Sequence, residues 1–301
     1  KKGENMGKKR FFDDRLKYLS FIQNTSEKRA ISSELTPFIA SMPQNRTFLR
    51  ILDAGTGDGT VKSNVIKTFH KYHPYTSLLI TGKEISYEDL KNTLEKMPDR
   101  FVEHPNLLVT MTNVKFAELG HIENANKIKN KKVKVHNLIL KEDNSFDFHT
   151  QINNLNNFIK KNWGIEIDNK SRTSYSNPCL IRIYREDHKR YLEPFIDNDY
   201  ENNNYDLIIA SQAYRAASAV KTKVNNVIAP LMRLLNKSGR LLVTHSCGED
   251  TVEKILKIAY KDKKPFPNKA KDIIDFLKNN PVGENSRYSF SKPKPYSFKF
   301  R

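Results

Sequence analysis

The chain has few cysteines and no long apolar runs. Its 301 residues include two cysteines, Cys179 and Cys247, which lie far apart in the sequence. This spacing excludes a disulfide framework and a Cys-rich zinc pattern, and it favours a reducing compartment. No run reaches the roughly 18 apolar residues that a membrane helix needs, and no apolar signal segment lies near the start. The sequence therefore predicts a cytoplasmic protein without a membrane partner.

Acidic residues are scarce relative to basic ones. The chain has 34 Asp and Glu against 52 Lys and Arg, which gives a net charge of +18. Such a charge can attract nucleic acid. The lysines are scattered, however, and no compact Arg-rich patch with interleaved aromatics indicates RNA binding. Nucleic acid stays open as a partner, but we favour a small-molecule substrate. The sequence gives no indication of an oligomeric state.

Short apolar runs alternate with helical patterns in two parts of the chain. This alternation predicts an α/β, Rossmann-like fold with a mostly parallel seven-stranded sheet and helices on both faces. The aromatic and basic residues of the tail, 287–301, predict a terminal antiparallel hairpin. The predicted strands are 48–52, 77–81, 106–112, 205–211 and the end of 235–245. The predicted helices are 13–30, 32–42, 61–72, 86–97, 217–235, 250–261 and 268–280.

A Lys- and Asn-rich stretch, 117–204, interrupts this alternation after the third strand. It contains two strand-like runs, KVKVHNLIL and CLIRIYR, and a helical pattern over 152–163. A structureless loop of this length would be unusual, so we predict a folded insertion or cap. The predicted domains are N-terminal helices covering the substrate site, 1–47, a cofactor-binding domain, 48–116 with 205–301, and the insertion between its halves.

The stretch ILDAGTGDGTV, residues 51–61, follows the first strand and indicates a close backbone approach to a ligand. A nucleoside triphosphate loop needs a Gly-Lys-Ser/Thr ending, which is absent here. The spacing is G-x-G-x-G, whereas a dinucleotide fingerprint is G-x-G-x-x-G. Asp53 and Asp58 would also repel a pyrophosphate. An acidic loop favours a cofactor with a cationic, amine-bearing end.

The strand, the DAGTGDG loop, the helix and a second strand ending at Glu84 resemble motifs I and II of class I S-adenosylmethionine-dependent methyltransferases. The resemblance covers about 48–116 and 205–246. It implies that S-adenosyl-L-methionine is the cofactor and that the backbone at Gly55, Gly57 and Gly59 passes close to it. It also implies that Asp53 helps to hold the amino end of the cofactor and that Glu84 accepts both ribose hydroxyls.

Two further positions complete the predicted cofactor site. Asn113 follows the third strand, where many members of the family carry an acid that meets the adenine amine. Ser211 ends the run YDLIIAS, which resembles the fourth-strand motif. The segment Ser211-Gln212-Ala213-Tyr214 replaces the N/D-P-P-Y/F motif of enzymes that methylate exocyclic base nitrogens. This difference disfavours that class, although it leaves other RNA methyltransferases open.

A weaker resemblance, to histamine N-methyltransferase-like enzymes, concerns the methyl acceptor. The segment YLSFIQNTSEKRAI is similar to the substrate-binding helix and turn of that family, which places Tyr18 and Glu27 at the acceptor. Gln212 matches a glutamine that contacts the substrate ring. The resemblance implies a small nitrogen-containing metabolite, with Glu27, Gln212 and Tyr18 as candidate catalytic residues. The alternatives are a solvated Glu27, a Gln212 bound to loop backbone and a Tyr18 in the core.

Direct in-line transfer of an activated methyl group mainly requires positioning. We therefore expect Glu27 or Gln212 to orient the acceptor. The alternative function is an RNA or protein methyltransferase that uses the basic surface and the insertion. His70 and His73 have a spacing compatible with a metal, but no third ligand is identifiable, so we predict an exposed helix surface and no metal site.

Overall fold

A central sheet of seven strands organises the protein, which is described by a computed structural model. The strands of this sheet occur in two groups, one before and one after residue 130. The structure describes residues 25–122, 126–167, 173–196, 204–211, 213–246, 248, 266–282 and 288–296. The first group is β1 (Phe48–Ala54), β2 (Ser77–Lys83) and β3 (Leu107–Thr112). The second is β6 (Lys134–Leu140), β9 (Cys179–Arg185), β10 (Tyr205–Ala210) and β11 (Leu235–Val243).

The order of the strands across the sheet is β11-β10-β1-β2-β3-β9-β6. Every neighbouring pair is parallel except β3 and β9, which are antiparallel. The predicted α/β fold with a mostly parallel seven-stranded sheet is confirmed. The antiparallel pairing differs from the prediction, because it is made by 179–185 and the described tail residues, 288–296, form no strand. The rest of the predicted hairpin lies outside the described residues.

The stretch 117–204 contributes two strands, β6 and β9, to the central sheet. It also forms two small antiparallel hairpins. These are β4 (Lys127–Ile128) with β5 (Lys131–Lys132), and β7 (Ile165–Ile167) with β8 (Thr173–Tyr175). The helical pattern predicted over 152–163 is two helices, α5 (Ser145–Asn153) and α6 (Asn156–Asn162). The role of this segment as a cap stays a prediction.

Helices cover both faces of the sheet. On one face, α1 (Glu27–Ala40) and α2 (Thr60–Tyr72) join α3 (Tyr87–Leu94) and α4 (Pro98–Glu103). Ile51, Leu78 and Val109 are fully or almost fully buried there. The other face packs against a 3-10 helix (Phe116–His121) and a helical stretch. That stretch consists of α8 (Val220–Lys223), a π-helix (Val224–Ile228) and α9 (Ala229–Met232). The remaining described helices are α7 (Lys189–Ile196) and α10 (Ala270–Asn279).

The N-terminal helices differ from the prediction. We expected a boundary between two helices near residues 30–32, but α1 runs without a break from Glu27 to Ala40. Its buried residues Ile31, Leu35 and Ile39 recur every four positions, so one stripe packs along its whole length. The helix predicted over 86–97 is α3, which ends three residues early at Leu94, and α4 follows it as a separate helix. The helix predicted over 250–261 lies outside the described residues.

Among the described helices, the longest is α1, with 14 residues. Within the ranges given above, none of them combines the length and the apolarity needed to cross a bilayer.

Candidate functional site

The carboxyl ends of β1, β2, β3 and β10 meet at one edge of the sheet. In the strand register, Asp53 lies opposite Gly82 on one side and Ile209 on the other. Gly82 in turn lies opposite Met111. The glycine loop after β1, Glu84 after β2 and Ser211 after β10 therefore share the edge at which open α/β sheets bind ligands.

Three glycines in the loop adopt left-handed backbone conformations. The φ angles are 93° at Gly55, 58° at Gly57 and 77° at Gly59. At Gly59, a Cβ atom would lie 2.7 Å from the Cα atom of Thr93 in α3, so packing also demands glycine there. At Gly57, a Cβ would meet only the Nζ atom of Lys28, at 4.0 Å. The loop is thus tight at its end and open at its centre, where a ligand can approach the backbone.

Glu84 organises this loop through backbone hydrogen bonds. Its Oε2 atom accepts from the N–H of Gly57 at 2.8 Å. Its Oε1 atom accepts from the N–H groups of Ile85 and Ser86, each at 2.8 Å. A carboxylate offers about four acceptor positions, so these three bonds leave one for a ligand. Accepting both hydroxyls of a ribose would require one backbone N–H group to give up its bond.

Asp53 lies beneath the loop with 2% of its surface exposed. Burial raises the pKa of its carboxyl to about 6, although the charge of Lys62 lowers it. The Oδ2 atom has no hydrogen-bond partner in the part of the chain that the structure describes. A buried carboxylate oxygen without a donor is unfavourable, and the ammonium group of a ligand would supply the missing donor.

Asp58 does not contribute free negative charge, contrary to our interpretation of the loop. It forms an ion pair with Lys28 of α1. It also accepts hydrogen bonds from the N–H and the hydroxyl of Thr60, at 3.1 and 2.9 Å, at the start of α2. Burial opposes ionisation, but the charge of Lys28 and these hydrogen bonds lower the pKa of Asp58. The acidity of the site therefore rests on Asp53 and Glu84.

Asn113 has structural contacts that the sequence did not indicate. Its Nδ2 atom donates to the carbonyl of Asn177 at 2.9 Å. Its Oδ1 atom accepts from the N–H of Cys179 at 2.9 Å, and the side chain is 1% exposed. Both ends of the amide thus fix the corner where the chain enters β9. The contacts assign it to the β3–β9 junction, whereas its role in adenine binding stays a prediction.

The remaining predicted site residues are only partly described. The carbonyl oxygen of Ser211 would lie 3.7 Å from a Cβ at Gly55, so β10 packs closely against the loop. Glu27 is buried at the start of α1, next to Lys28. Tyr18 and Gln212 lie outside the described residues, so the structure does not test whether the three candidate catalytic residues meet.

The histidines predicted at an exposed helix surface are instead partly or fully buried. His73 is 1% exposed and its Nε2 atom lies 2.8 Å from the carbonyl of Ile39. His70 is 3.2 Å from His104, measured between their Nδ1 atoms. The buried residues of α2 lie on one face, and His73 follows the buried Phe69 on that face by about one turn. This spacing would have predicted that His73 is buried. Within the described ranges, no three His, Cys, Asp or Glu side chains form a metal-binding group.

Two buried lysines near the strand ends were also missed. Lys62 is fully buried under the glycine loop, and Lys223 is fully buried where α8 meets the segment before α10. Lys223 Nζ donates to Asn268 Oδ1 at 3.0 Å, and His245 Nε2 lies 2.8 Å from the Asn268 carbonyl. Among scattered lysines, the only sequence signal for Lys62 is its position between Val61 and Val65 on the apolar stripe of α2.

Comparisons with known proteins give only distant likenesses. No family model and no curated protein matches the chain. The chain is similar to the solved structure of MNMC2 from Aquifex aeolicus, with 12% identity, a TM-score of 0.28, and coverage of 82% of this chain and 63% of that one. It is also similar to the rRNA methyltransferase aviRa from Streptomyces viridochromogenes, with 10% identity, a TM-score of 0.26 and coverage of 70% and 71%. Values this low carry no inference about the activity of this chain.

Proposed function

We propose that the protein is an S-adenosylmethionine-dependent methyltransferase of the class I type. The observation that carries this proposal is the loop after β1, which joins three left-handed glycines to two acids, Asp53 and Glu84, at one sheet edge. The loop resembles that family in its motif. It differs from a phosphate site because it presents carboxylates where a phosphate would bring negative charge.

The residues of the site fit the chemistry of this cofactor. No described residue donates to the buried Oδ2 atom of Asp53, and such an acceptor suits the ammonium of an amino acid group. Glu84 has an acceptor position left after its three backbone bonds, which suits a ribose hydroxyl. The open side of Gly57 provides room for the ligand beside the backbone. We assign these three residues to cofactor binding, together with Gly55 and Gly59, which shape the loop.

The bound cofactor would supply a methyl group that is already activated. The chain's own residues then need only bind the acceptor, orient it and exclude water. We assign this task to Glu27 at the start of α1, and the support is that the next residue, Lys28, contacts the glycine loop through Asp58. A carboxylate in this position would attract an amine and orient its lone pair.

For the acceptor, we propose a small nitrogen-containing metabolite. The support is the resemblance of Tyr18, Glu27 and Gln212 to residues of histamine N-methyltransferase-like enzymes, together with the buried position of Glu27. The second candidate is methylation of RNA or protein, and the observation that favours it is the net charge of +18.

Calorimetric titration with S-adenosylmethionine and S-adenosylhomocysteine tests the cofactor. We expect both to bind the full chain and expect Glu84→Gln to weaken them by about tenfold or more, since an amide loses charge-assisted acceptance. Glu95→Gln is the matched control, because Glu95 is exposed in the turn directly after α3. Absence of binding by the unaltered chain would overturn the proposal.

Transfer of a labelled methyl group distinguishes the acceptors. The chain is incubated with labelled S-adenosylmethionine and, separately, with a panel of small amines, total RNA and a protein pool. We expect label in the amines and expect Glu27→Gln to reduce it. Label in RNA, with binding that weakens steeply as salt rises, would instead support the second candidate.

A further inference from the structure

Lys62 occupies an unusual position directly beneath the cofactor loop. Its side chain, on α2, is fully buried. It lies over Gly82 of β2, where a Cβ atom would come within 2.4 Å of the Lys62 Nζ atom. Glycine is unfavourable inside a strand, but here it creates the space that the ammonium group fills.

The neighbours of this ammonium group are set by strand register. Asp53, Gly82 and Met111 lie opposite one another on three adjacent strands, and therefore on the same face of the sheet. Lys62 Nζ donates to Met111 Sδ at 3.3 Å. A thioether is a weak acceptor, so this contact does not account for burying a charge. Burial lowers the pKa of Lys62 to about 8, and the charge of the Asp53 carboxylate on the same sheet face opposes this shift.

Packing alone does not explain this arrangement. A buried lysine is costly unless it is paired, and an apolar residue of similar volume is often neutral or stabilising in such a place. Both Lys62 and Gly82 reduce stability relative to ordinary core residues. An electrostatic task at the loop explains why both are present.

We propose that Lys62 is a positioning residue that keeps Asp53 ionised at neutral pH, so that the glycine loop presents a carboxylate to the amine end of the cofactor. This inference rests on the proposed function. Lys62 would not touch the cofactor, and it acts through Asp53.

The charged groups facing Asp53 come from three elements. Lys62 on α2 and Lys28 on α1 favour its ionised form, and Glu84 at the end of β2 disfavours it. The Thr56 hydroxyl, in the loop, also favours ionisation, and its hydrogen bond goes to the backbone carbonyl of Asp53 at 3.2 Å. Lys28 is already engaged with Asp58. Removing the charge of Lys62 therefore leaves the buried Asp53 with mainly unfavourable surroundings.

The first measurement needs no cofactor. Carbon-13 NMR of the Asp53 carboxyl is followed against pH in the full chain, in Lys62→Met and in Lys67→Met. Lys67 is exposed on the same helix, so it controls for the substitution itself. We expect Lys62→Met to raise the Asp53 midpoint by about one pH unit or more, and Lys67→Met to leave it unchanged. An unchanged midpoint in Lys62→Met would overturn the proposal.

The second measurement is the affinity for S-adenosylmethionine in the same proteins. We expect Lys62→Met to bind about tenfold more weakly than the unaltered chain near pH 7, and we expect this deficit to shrink as the pH rises. The amine of the ligand titrates equally in every protein, so the ratio of the two affinities isolates the coupled pair of Lys62 and Asp53. A deficit that is the same at every pH would indicate a structural role and overturn the proposal.

Two results separate this inference from the proposed function. If the unaltered chain binds no S-adenosylmethionine, the proposed function is overturned. The midpoint of the Asp53 titration, measured by NMR, still tests whether Lys62 is coupled to Asp53. If Lys62→Met does not fold, Asp53→Asn replaces it, because coupling is reciprocal. Asp53→Asn is then expected to lower the pKa of Lys62, and an unchanged lysine midpoint would overturn the proposal.

Discussion

The glycine loop and the β3–β9 strand pair lie on opposite sides of β2, and different kinds of contact hold them in place. On one side, the glycine loop is fixed by contacts within the continuous segment from β1 to α3, such as the Glu84 carboxylate on the Gly57 N–H and the Thr93 hydroxyl on the Gly57 carbonyl. On the other side, β3 pairs with β9, and the contacts join residues far apart, such as Val109 opposite Ile183. Contacts within one continuous segment leave a motif that can be recognised in the sequence, whereas pairing between distant strands leaves none.

The largest expected effect tests whether β9 belongs to the main core. Ile181 lies fully buried in this strand, opposite Met111. We expect Ile181→Ala to lower the free energy of unfolding by about 4 kcal/mol. Because β9 is part of the central sheet, urea denaturation should show one shifted transition. Val135→Ala, exposed in neighbouring β6, is the control, and a separate early transition would show that 117–204 unfolds independently.

The next effect concerns His104, which directly follows α4 and packs against Phe69 of α2. Burial, followed by the charge of His70, lowers the pKa of His104 to about 4. Its neutral form is thus favoured in the folded state, and the stability it contributes is lost as the pH falls from about 6.5 through 4. We expect a loss of about 3 kcal/mol over this window. Unfolding of His104→Gln measured across this range should lack the loss, whereas exposed His149→Gln should retain it.

Within the loop, two glycines with similar conformations should respond differently. We expect Gly59→Ala to destabilise the protein by about 3 kcal/mol, because left-handed strain adds to the clash with Thr93. We expect Gly57→Ala to destabilise it by about 1 kcal/mol, since only strain applies there. Thermal unfolding measures both. Equal losses of stability in the two variants would contradict the open space at Gly57. The main effect of Gly57→Ala should instead be a loss of affinity for S-adenosylmethionine.

The smallest effect lies at the surface of the 117–204 segment. Glu166 of β7 pairs with Lys131 of β5 at 3.1 Å, and both side chains are about half exposed. We expect Glu166→Gln to change the free energy of unfolding by about 0.5 kcal/mol or less. A change as large as that of Ile181→Ala would show that surface contacts, rather than strand pairing, hold the segment in place.

The sequence predicted most of the strands and helices around the glycine loop. The strands at 48, 77 and 205 and the helix after the glycine loop were predicted because each is marked by a short-range period or a glycine pattern. The run CLIRIYR was predicted as a strand, but its pairing with β3 was not. Pairing across 70 residues depends on which partner edge is free, and no local pattern records that.

The sequence by itself determined the chemical character of the loop, because left-handed turns require glycine and the acids stand at fixed places beside it. The tertiary structure decided the charge balance. It placed Lys28 on Asp58, bound Glu84 to three backbone N–H groups, and buried Lys62 over Gly82. The physical reason is that charge in a site depends on distance and burial, and residues from separate elements acquire both only when the sheet assembles.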